Sequence, residues 1–217
     1  MTNSIVANST LQLPEVQAVL ERLHNLADAN DKTIIQQVLS SGYDWKSASS
    51  EQNAATFREA LLPISPDVGR FLYGVARSIS AERIVEFGTS YGISTIYLAA
   101  AVRDLNSGLV IGSEMESSKV MQATENLATA ELLPFVEIRA GDALETLRDL
   151  GGTIDLLFLD GWKKPLFRCF TASIQEPAIG YGHLSGRSRY CSRPTRTIFR
   201  LHSQPRQRLY LCYAANR

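Results

Sequence analysis

The chain has 217 residues and a formal net charge of zero, a length that suits one domain with a sizeable core. Its apolar fraction is ordinary for a globular protein, and no apolar run reaches the roughly 18 residues a membrane span requires. Met1 to Thr10 carries no charged side chain and lacks the basic and apolar regions of a secretory signal, so a cytoplasmic location is the default expectation.

The first elements in chain order read as helices. Pro14 suits a first helical turn. Val16, Val19, Leu20, Leu23 and Leu26 then recur at three- and four-residue steps, which predicts an amphipathic helix over 14–27. A second helix is expected over 33–40, stopping at Gly42, and a third over 51–61, ending at Pro63. Ser65-Pro66-Asp67 reads as a helix start: a cap, a proline, then an acid facing the helix dipole. Val68, Phe71, Leu72, Val75 and Ile79 supply its apolar stripe.

The pattern changes at Arg83. Strands are expected over 84–87, 109–111, 135–138 and 154–159, and helices over 93–102, 117–132 and 143–150. This β-α-β-α-β-α-β order with short connections predicts a parallel sheet with right-handed crossovers, its four strands buried on both faces. The expected organisation is a helical region over 1–80, a Rossmann-like core over 81–165 and an atypical tail over 166–217. The fold class is α/β, a doubly wound and mostly parallel sheet preceded by helices.

The most informative segment is Glu86-Phe87-Gly88-Thr89-Ser90-Tyr91-Gly92-Ile93-Ser94-Thr95, which follows a strand and opens a helix. Glycines let a chain turn sharply and let a ligand approach the backbone, and the crevice at the carboxyl ends of such strands is the usual ligand site. Glu114 follows the second strand, where an acid can accept hydrogen bonds from ribose hydroxyls; the alternative is a solvated helix-start acid like Glu116. Gly141-Asp142 follows the third strand and Asp160 the fourth. One such acid could be a helix cap, and Asp142 is the candidate for that. Three acids after three successive strands point to one crevice.

Gly88-Thr89-Ser90-Tyr91-Gly92 also fits the G-x-S-x-G elbow of α/β-hydrolases, with Ser90 as nucleophile. That elbow normally follows several strands, whereas this one follows helices, and its histidine could come only from His183 or His202. A nicotinamide dehydrogenase is disfavoured because Thr89 and Ser90 stand where a second early glycine is needed.

The segments Glu86-Phe87-Gly88-Thr89, Tyr91-Gly92 and Ser94-Thr95, with Phe158-Leu159-Asp160-Gly161-Trp162-Lys163, resemble motifs of class I S-adenosylmethionine-dependent O-methyltransferases of the catechol and caffeoyl-CoA type. The resemblance covers about residues 60–165. It implies that the turn of Glu86, Gly88, Thr89, Tyr91, Gly92 and Ser94 receives the methionine part of S-adenosylmethionine. It implies that Glu114, with Met115 beside it, holds the ribose and that Gly141 and Asp142 lie beside the adenine. It further implies that Trp162 packs on the cofactor, that Asp160 binds a divalent metal such as Mg2+, and that Lys163 is the general base, although a surface lysine beside Lys164 would look the same. Catechol-type enzymes usually carry histidine where this chain has Gly161. The implied partner is a small hydroxylated methyl acceptor, with no nucleic acid or membrane, and the resemblance allows a homodimer.

The zero net charge conceals an asymmetry. Residues 1–164 hold 13 basic and 21 acidic side chains, whereas 165–217 hold nine arginines and one acid, Glu176. All three cysteines, Cys169, Cys191 and Cys212, lie in the second part, at spacings that match no common zinc pattern. Abrupt loss of lysines and acids, with gain of arginine and cysteine, predicts a shifted reading frame soon after Lys164. Codons can be chosen for 204–217 whose next frame reads N-P-A-N-G-Y-I-S-V-T-L-P-I, similar to the last strand region of bacterial relatives. The expectation is then an incomplete sheet, an uncovered edge on the fourth strand, poor order after about residue 166, and weak or absent turnover. A degenerate chain that binds cofactor without activity is the alternative reading.

Overall fold

The computed structural model describes residues 9–161, 197–201 and 208–212. A 3-10 turn at Thr10–Gln12 leads into helix α1, Pro14–Ser40. The two helices expected over 14–27 and 33–40 are therefore one. Nothing between them breaks a helix: the joint holds Ala29 and no glycine or proline. Asp31, a residue that elsewhere competes for backbone, turns its carboxylate to Leu61 and Leu62 instead.

Helix α2, Ser50–Thr56, opens with a complete capping box. The Ser49 side chain accepts from the Gln52 N–H, and the Gln52 side chain accepts from the Ser49 N–H. It ends before the expected residue 61; beyond it the Leu61 and Leu62 N–H groups and the Ala60 carbonyl bond to the side chains of Asp31 and Lys119. Helix α3, Pro66–Ser78, starts as its sequence predicts, with Ser65 accepting from the Val68 N–H.

Strands β1 (Arg83–Phe87), β2 (Leu109–Glu114), β3 (Val136–Ala140) and β4 (Leu156–Leu159) alternate with α4 (Ile93–Leu105), α5 (Ser117–Thr129) and the short α6 (Ala143–Thr146). Two further strands, β5 (Thr197–Leu201) and β6 (Arg208–Cys212), complete the described elements. The sheet runs β3-β2-β1-β4-β6-β5. Strands β1, β2, β3, β4 and β6 are mutually parallel, with Val85 opposite Ile111 and Leu157, and β5 is antiparallel to β6. The fold is that of an α/β Rossmann-like sheet, as the strand and helix order predicts.

Side chains alternate across the sheet. Ile84, Val110, Leu156 and Phe158 join α1, α3, α4 and α5 in the larger core. Val85, Ile111 and Leu157 face Ala143, Leu147, Leu150 and Ile154 in a smaller one. Helix α4 is buried from Ile93 to Val102, which suits a helix held between sheet and outer helices.

Two sequence expectations need correction. Strand β3 is not buried on both faces: it is the sheet edge, and none of its residues is fully buried. The edge of β4 is not bare either, because β6 pairs along it from Leu156 to Leu159 and removes the unpaired backbone groups an edge would present. The expectation of poor order after residue 166 falls mostly outside the described residues. Among those described, no helix is long and apolar enough to cross a membrane.

Candidate functional site

The parallel order brings the carboxyl ends of β1, β2 and β4 together, and the turn after β1 lies over them. A small cavity there is lined by Leu61, Leu62, Pro63 and Ile64 on one side. Gly88, Thr89, Ser90, Tyr91, Ile93, Ser94 and Asp160 line the other. Five of the twelve residues implied for cofactor and metal binding thus share one cavity: Gly88, Thr89, Tyr91, Ser94 and Asp160.

Gly88 has a left-handed φ of 92°, and a Cβ there would lie 2.9 Å from the Gly161 backbone. Gly161 in turn packs against Phe87: a Cβ at 161 would run into the Phe87 ring at Cε1. The glycine that departs from the catechol-type pattern is therefore matched by a local ring that fills the space. Gly92, also left-handed at φ 86°, caps α4. The first N–H groups of that helix point toward the turn, where a helix favours negative charge.

Glu86 is fully buried beneath the turn rather than lining it. Its Oε2 accepts from the hydroxyls of Thr95 and Thr89 at 2.5 and 3.3 Å, while Oε1 meets no hydrogen-bond donor. Burial raises its pKa to about 7. The hydroxyls of Ser94, Thr95 and Thr89 oppose that rise, and the nearby Glu114 adds to it.

Glu114 stands at the end of β2, as the spacing predicts. Its Oε2 accepts from the Ser90 N–H at 2.7 Å and its Oε1 from the Glu116 N–H at 2.9 Å. One carboxylate thus ties the β1 turn to the β2 turn. Each oxygen accepts one of these bonds and has capacity for another. Asp142 caps α6 through the Leu144 N–H at 2.9 Å, the role its place at a helix start suggests. The Gly141 N–H bonds the Glu114 carbonyl at 2.8 Å, which holds that turn beside β2. Met115 is half-buried next to Glu114. The Asp160 N–H bonds the Phe87 carbonyl at 2.9 Å, so β4 delivers its acid to the same crevice.

Trp162 and Lys163 lie outside the described residues. Among those described, no cluster of three or more His, Cys, Asp or Glu side chains surrounds Asp160 or any other point, so Asp160 alone does not make a cation site. Ser90 has no histidine partner among the described residues. Its hydroxyl donates to the Leu61 carbonyl at 2.8 Å and lies 3.2 Å from Lys119 Nζ; His183 and His202 lie outside the described residues.

Sequence reasoning missed Asp31 and Lys119. Asp31 sits in the middle of a helix and Lys119 in the first turn of α5, among polar neighbours. No local pattern marks either as buried, yet they are 8% and 6% exposed. The only signal is that each falls on the apolar side of its own helix, Asp31 four residues beyond Ala27 and Lys119 four before Ala123.

Comparison with known proteins places this geometry. A methyltransferase-domain family matches residues 85–171. A catechol O-methyltransferase of Niastella koreensis is 34% identical over 113 residues, 50% of each chain. One from Mycobacterium tuberculosis is 38% identical over 104 residues, 48% of this chain and 46% of the relative. The chain therefore spans about half the length of the curated relatives it matches. An O-methyltransferase-family protein from Klebsiella pneumoniae superposes with a TM-score of 0.51 at 27% identity, covering 74% of this chain and 59% of that one.

Proposed function

We propose, on the premise that the core of this chain is that of a class I S-adenosylmethionine-dependent O-methyltransferase, that the chain binds this cofactor over Gly88–Ser94 and methylates a small hydroxylated acceptor. The observation that carries the reading is the position of Glu114. It lies at the end of β2 with its carboxylate bonded to the Ser90 N–H, so the strand-two acid and the glycine turn are joined directly. The residues present fit the group. Gly88 lines the cleft with no side chain of its own, Glu86 Oε1 is unpartnered beneath the turn, and Glu114 retains acceptor capacity.

S-adenosylmethionine supplies a methyl group on a sulfonium. The acceptor oxygen would attack that methyl carbon in line with the departing sulfur, which keeps the electron pair of the broken C–S bond. The protein's share is orientation and exclusion of water. We assign Thr89, Tyr91 and Ser94 to the methionine end, Glu114 and Met115 to the ribose, and Gly141 and Asp142 to the adenine side, with Trp162 packing on the cofactor. Lys163 would take the acceptor's proton. Asp160 would be the acid to hold a divalent cation, which would lower the pKa of a bound acceptor oxygen; no cluster of three or more ligating side chains surrounds it among the described residues.

Transfer of a labelled methyl group from S-adenosylmethionine to a catechol, with and without chelator, tests the reading. Product formed by the native chain, abolished in Asp160→Ala, supports both the reaction and the role of that acid. Product that ignores both chelator and Asp160→Ala identifies a metal-independent transferase. The change of charge after Lys164 favours a second reading, a chain that binds cofactor but does not turn over; binding without product would select it.

A further inference from the structure

The wall of the cavity opposite the glycine turn is formed by Leu61, Leu62, Pro63 and Ile64, in a segment that with Ala60 belongs to no helix or strand. Such a segment has no ladder to satisfy its peptide groups, and buried peptide groups must find other partners. Here side chains supply them. The Asp31 carboxylate accepts from the Leu61 N–H at 2.9 Å and the Leu62 N–H at 2.7 Å. Lys119 Nζ donates to the Ala60 carbonyl at 2.8 Å, and the Ser90 hydroxyl donates to the Leu61 carbonyl at 2.8 Å. Lys119 also reaches Ser90 Oγ at 3.2 Å and lies 5.7 Å from the centre of the Tyr91 ring, a distance at which ring and ammonium attract.

Two backbone conformations are held by these bonds. Leu62 has φ 52° and Ser90 has φ 49°, both in the left-handed region that side-chain-bearing residues rarely enter. Such conformations persist where surrounding contacts over-determine them. The two residues face each other across the cavity and are joined through Leu61 and Lys119. Neither Asp31 nor Lys119 lines the cavity itself.

We infer that Asp31 and Lys119 are positioning residues that clamp the Ala60–Ile64 wall against the Gly88–Ser94 turn, and so set the affinity of the cleft for its ligand. The inference rests on the cofactor reading above. Two side chains from distant helices act on one wall. Helix α1 holds its N–H side, and α5 holds its carbonyl side and the turn together.

The test combines S-adenosylhomocysteine titration with hydrogen exchange on the full chain, for the native protein, Lys119→Met and Asp31→Asn. Asp104→Asn serves as control. It loosens a network with Thr10 and Tyr73 at the opposite end of α4. In Lys119→Met we expect exchange over 58–64 to accelerate while β1 and β2 stay protected, and affinity to fall about tenfold, as for a lost bond to a charged group. Asp104→Asn should leave both unchanged. If Lys119→Met does not fold, Asp31→Asn carries the same expectation. Unchanged exchange over 58–64, a uniform loss of protection, or a loosened wall with native affinity would each overturn the clamp. A native chain that binds no S-adenosylhomocysteine would overturn the cofactor reading and, with it, the purpose given to the clamp, while the exchange data would still show whether the wall is held.

Discussion

At the scale of single residues, Glu86 shows how a buried acid reports on its surroundings. Its folded pKa of about 7 stands above the ordinary 4.5. Below about pH 4.5 the carboxyl is protonated in both folded and unfolded chains. Between 4.5 and about 7 the unfolded chain releases the proton and the native state keeps it, so stability falls as pH rises through that window and levels off above it. The shift corresponds to about 3 kcal/mol. Glu86→Gln should lack this dependence, so the stability difference between native chain and variant should change by up to that amount from pH 4.5 to 7.5. Denaturant titrations across the range check it; parallel curves would show that Glu86 titrates normally. Gly161 provides a second residue-scale expectation. Because a Cβ would run into the Phe87 ring, Gly161→Ala should destabilise by about 1–3 kcal/mol, as overpacking does. Gly161→Ala combined with Phe87→Leu should recover part of the loss, and a neutral single variant would mean that the ring moves freely.

At the scale of elements, the capping box of α2 makes a simple prediction: Ser49→Ala should cost about 1 kcal/mol, measured by thermal unfolding. The core is legible in the sequence because its elements carry local signals. The stretch from Arg83 to Leu159 alternates apolar strands with periodic helices, and each expected strand appears within three residues of its observed ends. Helix α3 is equally plain, because Ser65 and Pro66 mark its start by their chemistry. The joint of α1 reads as a break because the apolar stripe lapses over 28–32, whereas Asp31 turns its carboxylate to another segment. The end of α2 is hidden because the expected helix over 51–61 runs into a segment whose peptide groups at 60–62 bond to Asp31 and Lys119, contacts from distant parts of the chain. Partial burial of β3 is not legible because edge position is a property of the sheet order, which a run such as Val136–Ala140 does not encode. Within the site, the acids at strand ends are visible as Glu114, Asp142 and Asp160. That Glu114 binds the turn, and that Asp142 caps α6, depend on contacts that only the folded chain creates.

At the scale of the whole molecule, the sheet gathers three strand ends beneath one turn, and the segment 61–64, between the helices that precede Arg83, supplies the opposite wall. The cavity thus needs residues from before Arg83 as well as from the stretch, 85–171, that the methyltransferase-domain family matches. The most direct measurement is calorimetric titration of the full chain with S-adenosylhomocysteine, alongside Glu114→Ala. The native chain should bind at one site, and Glu114→Ala, shown to be folded by circular dichroism, should bind more weakly by about 1.5–3 kcal/mol, the loss expected for hydrogen bonds to a charged group. Absence of binding by the native chain, or undiminished affinity in a folded Glu114→Ala, would contradict the account.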